Sequence, residues 1–140
     1  MAGSLPGAPR VFRMPVRVDA EDIDRLRHVN NIVYLRWALD AARTHWESLS
    51  TEAVRAEVLW VVRRHNLEYL KPAYADDELE AVTWVEATSG ATCTRRVEIL
   101  RRGEQKPLMV ALTTWVAVDA GTGRPRRVDD ALQRLFCGPE

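Results

Sequence analysis

The sequence predicts an α+β protein in which one antiparallel sheet of about five strands curls around a single long helix. Three observations predict it. The segment from about Asn30 to Leu49 has a helical pattern yet is apolar over most of its circumference. Four later segments carry β-branched and aromatic residues at strand length, and the connections between them are short turn clusters. A helix apolar nearly all round has to be enclosed, and short turns join antiparallel neighbours, not parallel crossovers. A helix of about 19 residues is roughly 28 Å long, whereas strands of about 11 residues reach about 36 Å. A sheet of that span covers such a helix by curling around it.

The elements follow in order. Residues 1–10 are rich in Gly, Pro and Ala and read as a flexible tail; they have no basic segment followed by an apolar stretch, so the form of a secretory signal is missing. Residues 11–140 read as a single domain. Val11 to Val18 is short and β-prone, a strand, and the charged run Asp19 to Arg27 is a loop. Asn30 or Asn31 then caps the helix through a side-chain oxygen that takes an orphan amide. Arg36, Asp40, Arg43 and Glu47 fall on one narrow stripe where they alternate in charge. Ile32, Val33, Tyr34, Leu35, Trp37, Ala38, Leu39, Ala41, Ala42 and Trp46 supply the apolar remainder. Strands are predicted over Glu57 to Tyr69, Glu78 to Ala87, Thr92 to Arg102 and Leu108 to Asp119. In the second of these Leu79, Ala81, Thr83, Val85 and Ala87 share a face, and in the last Leu108, Val110, Leu112, Thr114, Val116 and Val118 do, the alternation of a half-buried sheet. Val128 to Phe136 reads as a closing helix. The open edges of such a sheet predict a homodimer that continues it across subunits, with a tetramer as a dimer of dimers the next level of assembly.

Composition narrows the function. The chain has 140 residues, 20 basic and 20 acidic, and a formal net charge of zero, so it lacks the cationic surplus of a nucleic-acid binder. At 46% hydrophobic residues it is too apolar for disorder, and no run approaches the roughly 20 apolar residues of a membrane span. Two cysteines, Cys93 and Cys137, make neither a disulfide framework nor a metal pair, which suits a reducing, cytoplasmic setting.

Chemistry concentrates in Asp24-Arg-Leu-Arg-His28-Val-Asn30-Asn31-Ile-Val-Tyr34. A carboxylate stands just before the start of a buried helix, whose first amides are unpaired and carry about half a positive charge. Amides that polarise a carbonyl, next to a carboxylate that attacks it or deprotonates a water, suit acyl transfer. The segment resembles the D-x-x-G-H-V-N-N-x-x-Y signature of hotdog-fold acyl-CoA thioesterases, the 4-hydroxybenzoyl-CoA thioesterase-like group, with Asp24, His28, Val29, Asn30, Asn31 and Tyr34 in register. Farther on, the run from Leu67 through Lys71-Pro72 to Leu79 is similar to that family's link between its second and third strands. The likeness extends over about Val11 to Phe136, with its strong motif in the first third.

The resemblance implies a hotdog fold and hydrolysis of an acyl-CoA or acyl-carrier-protein thioester. Asp24 would be the catalytic carboxylate, as nucleophile or general base, and the Asn31 amide would polarise the thioester carbonyl. His28, Asn30 and Tyr34 would shape the pocket and hold the turn. It also implies no metal or redox cofactor, with coenzyme A entering only as part of the substrate. The signature's glycine is here Arg27, which requires either an ordinary φ or strain and brings a cation to the substrate entrance. Alternatives are a hydratase or dehydratase on the same fold, whose signature resembles D-x-N-P-x-H and is not matched by Asp24 to His28, and a non-catalytic acyl-binding module, which has no chemical need of Asp24. His65 and Glu68 are reserve candidates whose ordinary reading is solvated strand. Arg63-Arg64, Arg95-Arg96 and Arg101-Arg102 read as solvated charge, at most one of each pair serving one surface. Asp24 with His28 falls short of a metal site for want of further ligands. Trp37, Trp60 and Tyr34 read equally as pocket or core.

Overall fold

A computed structural model describes residues 3–138. The sheet is antiparallel throughout. β1 (Gly3–Ser4) and β2 (Phe12–Val16) lie one after the other along the same edge of β4 (Leu79–Ser89), which is followed by β5 (Thr92–Arg101), β6 (Met109–Asp119) and β3 (Val58–Tyr69) at the far edge. Register runs from Leu79 opposite Arg101 to Ser89 opposite Thr92, and from Val58 opposite Asp119 to Tyr69 opposite Met109. Shifts at Val85/Ala87 and Val62/Arg64 break the two ladders, and such irregularities increase the local bend and twist of a sheet.

The central helix α1 (Asn31–Leu49) lies against β2, β4, β5 and β6, as its apolar circumference requires. Val33, Tyr34, Trp37, Ala38 and Ala41 pack on Ala81, Val97, Ile99, Met109 and Ala111. Enclosure is incomplete: Ile32 is 76% exposed. The expected charged stripe is divided, since Arg43 pairs with Asp40 at 3.4 Å and Glu47 at 3.6 Å while Arg36 turns to the buried Asp22 at 3.0 Å.

The structure adds which face of β6 meets the helix and corrects the readings of the two chain ends. The face of β6 toward the helix is Met109, Ala111, Thr113 and Ala117, and the series Val110, Leu112, Thr114, Val116 and Val118 lies on the other, only half-buried, face. Its register with β5, whose buried Cys93, Val97 and Ile99 stand opposite Trp115, Ala111 and Met109, fixes that choice. Small residues there also let the helix approach closely. The expected loose tail is laid down from residue 3 onward: Gly3 and Ser4 pair with Thr88 and Ala87, and the Arg10 amide donates to the Phe136 carbonyl at 2.9 Å. The edge of β4 beyond β2 has peptide groups to satisfy, and this segment satisfies some of them. Residues 1 and 2 of that expectation lie outside the described residues. Finally, a short helix, α2 (Glu52–Glu57), precedes β3, capped by Thr51, whose hydroxyl accepts from the Val54 amide at 3.2 Å. The closing helix α3 is Asp130–Leu135, shorter than its apolar pattern, with Asp129 as N-cap accepting from the Leu132 amide at 2.9 Å. No helix among the described residues is long and apolar enough to cross a membrane.

Candidate active site

The segment before α1 folds into a tight turn because Asp24 bonds across it. Its carbonyl accepts from the Arg27 amide at 3.0 Å, its amide donates to the His28 carbonyl at 2.9 Å, and Ile23 bridges Val29. The carboxylate Oδ1 accepts from the amides of Leu26 at 2.9 Å and His28 at 3.4 Å, the local bonding that makes Asp a turn former. Oδ2 has no protein partner among the described residues. Arg27 closes the turn with φ of 66°, the only non-glycine residue with positive φ among those described. The conformation that glycine would adopt freely is therefore kept, with strain, by arginine.

The start of α1 is held at fixed points. Asn30 is the N-cap: its Oδ1 accepts from the Ile32 amide at 3.1 Å, its carbonyl accepts from Val33 at 2.9 Å, and its own amide donates to the Asp22 carbonyl at 2.8 Å. Asp22, 2% exposed, also accepts from the Asp19 amide and from Arg36. These bonds leave the amide of Asn31 without a protein partner among the described residues, at the positive end of a 19-residue helix. The Val29 amide donates to the Ala73 carbonyl at 2.8 Å, and the Tyr34 hydroxyl accepts from the Ala73 amide at 3.1 Å, tying the helix to the loop after β3. Burial raises the Tyr34 pKa above its ordinary value, so the phenol stays neutral. Tyr69 donates to the Asn31 carbonyl at 3.1 Å and meets the Tyr34 ring edge-on, and the His28 ring meets Tyr74 at 5.3 Å.

Asp24, His28, Asn30, Asn31 and Tyr34 all wall one cleft of about 380 Å³. Arg27 is exposed on the turn and outside that wall. The opposite wall is Tyr69, Leu70, Lys71 and Pro72, which sequence reasoning passed over for site roles although the Leu67 to Leu79 segment had been matched to the family. His65 and Glu68 do not wall it: His65 Nδ1 lies 2.8 Å from the Thr113 hydroxyl, burial lowers its pKa, and Glu68 is exposed. Trp37 is core at 5% exposure. Among the described residues no group of three or more His, Cys, Asp or Glu side chains is placed to hold a metal ion.

A curled antiparallel sheet around one buried helix, with a carboxylate turn at the helix N-terminus, is the hotdog class of domain. The family model described as Thioesterase-like superfamily matches residues 18–136, and the chain belongs to that superfamily. It is 31% identical over 130 residues to the acyl-CoA thioester hydrolase YbgC of Escherichia coli, covering 90% of this chain and 96% of that one. Among solved structures it is similar to the probable thioesterase YbaW from Escherichia coli (TM-score 0.78, 22% identity, 88% of this chain and 94% of that). It is similar also to an aspartate-to-asparagine mutant of 4-hydroxybenzoyl CoA thioesterase complexed with 4-hydroxybenzoyl CoA (TM-score 0.79, 20% identity, 91% and 99%). At those identities the two structures speak for the fold.

Proposed function

We propose that the protein hydrolyses acyl-CoA thioesters, or the same acyl group on a carrier protein, to a free acid and a thiol. The observation that carries this is the shared cleft: Asp24, with one carboxylate oxygen outside the turn bonds, and Asn31, whose amide heads the helix, wall one space. The thioester oxygen accepts from the Asn31 N–H, where the helix dipole favours developing negative charge. Asp24 either attacks the carbonyl carbon, giving an anhydride that water then opens, or removes a proton from the water that attacks. In both routes the tetrahedral intermediate collapses by breaking the C–S bond, and the thiolate leaves and takes up a proton. The chemistry asks for no metal or redox group. Asn30 and Tyr34 hold the helix start and its facing loop, His28 closes the turn, and Lys71 with Arg27 offers cations to the substrate's phosphates. Leu26, Tyr69 and Leu70, all exposed, give apolar surface to the pantetheine or acyl chain.

The reading extends to assembly. Among the described residues β3 is a 12-residue edge strand paired only with β6, and Leu59 and Val61 on it are about half exposed. Such an edge calls for a partner strand, so the working unit is a homodimer joined there, and light scattering is expected to give twice the chain mass. Cys93 and Cys137 are buried free thiols, in keeping with the cytoplasm. The function is tested by thiol release from short, medium, long and aromatic acyl-CoAs and from an acyl-carrier thioester. Turnover of at least one class is expected. If the folded protein releases thiol from none of them, the hydrolase reading fails and an acyl-binding module takes its place.

A further inference from the structure

A second pocket, of about 390 Å³, lies along the C-terminal half of α1 beside the first residues of β3, and shares no wall residue with the cleft at Asp24. Its walls are mainly apolar and aromatic, with Trp46, Trp60, Trp115 and Phe136 prominent. Among them stands Arg95, 4% exposed. Its Nη1 donates to His45 Nδ1 at 2.9 Å and to the Thr83 hydroxyl at 3.0 Å, and the guanidinium lies 6.0 Å from the centre of the Phe136 ring. None of these partners is an anion. His45 accepts through Nδ1 and is neutral, with a pKa lowered to about 4 by burial and by Arg95 itself, and burial pushes the neighbouring Cys93 thiol up to about 12. Nε and Nη2 of Arg95 have no protein partner among the described residues. On the same pocket wall, Trp115 Nε1 is buried and has no acceptor. Asp40, the one carboxylate of the wall, pairs with Arg43 at 3.4 Å.

A buried cation without a counter-charge is strongly disfavoured, and so is a buried donor without an acceptor. Here both deficits have the same sign and belong to residues that wall the same apolar pocket. One group relieves both: a carboxylate accepts bidentately from a guanidinium and has lone pairs left for an indole N–H. We propose that this pocket binds a small organic acid with an apolar or aromatic body, its carboxylate on Arg95 and Trp115 and its body among the tryptophans. Arg55, also on the wall, adds positive charge that favours an anion over a neutral analogue. The inference does not rest on hydrolysis at Asp24, although a free acid is what that reaction releases.

Intrinsic fluorescence reads the pocket directly, because three of the chain's five tryptophans wall it. Octanoate and benzoate are titrated against octanamide and benzamide, which keep the body and lose the charge. The acids are expected to quench saturably and to bind about tenfold or more tighter than the amides. Arg95→Met is expected to abolish that preference. Trp115→Phe is expected to weaken the acids about threefold to tenfold without lowering Tm, since it removes a donor that has no partner in the free protein. Asp24→Asn is expected to leave acid binding unchanged. Equal binding of acids and amides, or no binding of either, overturns the proposal. So does a loss of acid affinity in Asp24→Asn that Trp115→Phe does not share, which would place the acid in the cleft. If Arg95→Met does not fold, the acid-to-amide ratio in the wild type and the Trp115→Phe titration decide.

Discussion

Replacing Asp24 by asparagine and, separately, by alanine separates its chemistry from its part in the turn. Oδ1 accepts two backbone amides, from Leu26 at 2.9 Å and His28 at 3.4 Å. Asparagine keeps an oxygen at that position, so the turn survives with neutral bonds in place of charge-assisted ones, a cost of about 1 kcal/mol for a half-exposed pair. Alanine removes both acceptors and is expected to cost about 2–3 kcal/mol of stability. The other oxygen, Oδ2, contributes nothing to the turn, and asparagine exchanges it for an amide nitrogen that neither attacks a carbonyl nor takes a proton. Loss of a nucleophile or general base is expected to slow thiol release by about 10²–10⁴-fold, or about 3–5 kcal/mol of transition-state stabilisation. The assay is kcat and KM for thiol release on the best acyl-CoA, beside urea unfolding of the three proteins. Asn and Ala are expected to be equally slow but unequally stable. If Asp24→Asn retains activity within about threefold of wild type, the carboxylate is not the catalytic group.

Three other perturbations bear on the same framework. Arg27→Gly relieves a left-handed backbone costing about 1–2 kcal/mol but loosens the unfolded chain by about 0.5–1 kcal/mol; the unfolding free energy in urea is expected to be unchanged or higher by up to about 1 kcal/mol, and a clear loss would mean the arginine side chain holds the turn. Tyr34→Phe leaves the Ala73 amide without its acceptor in a buried place, so a loss of about 1–3 kcal/mol is expected in thermal unfolding, and an unaltered Tm would sink the assignment. His45 has a folded pKa of about 4 against an ordinary 6.5, so the unfolded chain binds the extra proton between these values. The stability it contributes is present above about pH 6.5 and is lost as pH falls toward 4, about 3 kcal/mol in all; denaturation at stepped pH is expected to show this slope, and His45→Gln, which keeps an acceptor for Arg95, to flatten it.

Much of this architecture was legible because strand and helix periods differ. The continuous apolar surface from Val33 to Trp46 has no solution except enclosure, and the helix runs from Asn31 to Leu49 as the pattern requires. Faces were legible only where a strand has one apolar side. In β4 Leu79, Ala81, Thr83 and Val85 are buried as expected, whereas the register shift at Val85/Ala87 changes the phase, so that Ala87 is only half-buried and Thr88 is buried in its place. β6 is apolar on both sides, so alternation alone leaves open which face is inward, and the register with β5 puts Met109, Ala111, Thr113 and Ala117 there. The short helix α2 and the pairing of Gly3–Ser4 left little mark, since six and two residues are too few to show a period.

The two sites were legible to different degrees for a related reason. The cleft is assembled largely from one contiguous stretch, Asp24 to Tyr34, whose turn bonds, cap and helix end are local, so spacing along the chain already fixes the chemistry in space. Its other wall, Tyr69 to Pro72, arrives from the loop that Ala73 ties to Val29 and Tyr34, a contact no local rule encodes. Arg95 is the harder case. On β5 it falls in the alternation Cys93, Arg95, Val97, Ile99, so its inward direction was readable, yet the rule that arginine stays in solvent outweighed the phase of the strand. Where period and residue type disagree in this way, the period locates the side chain and the disagreement marks a place where folding alone does not explain the residue. Arg96, one position on, shows the contrast: it points outward and pairs with Glu98 at 2.7 Å, as an ordinary strand arginine does. Arg95, held among aromatic rings with no carboxylate beside it, is the residue for which a ligand supplies the missing half of the explanation.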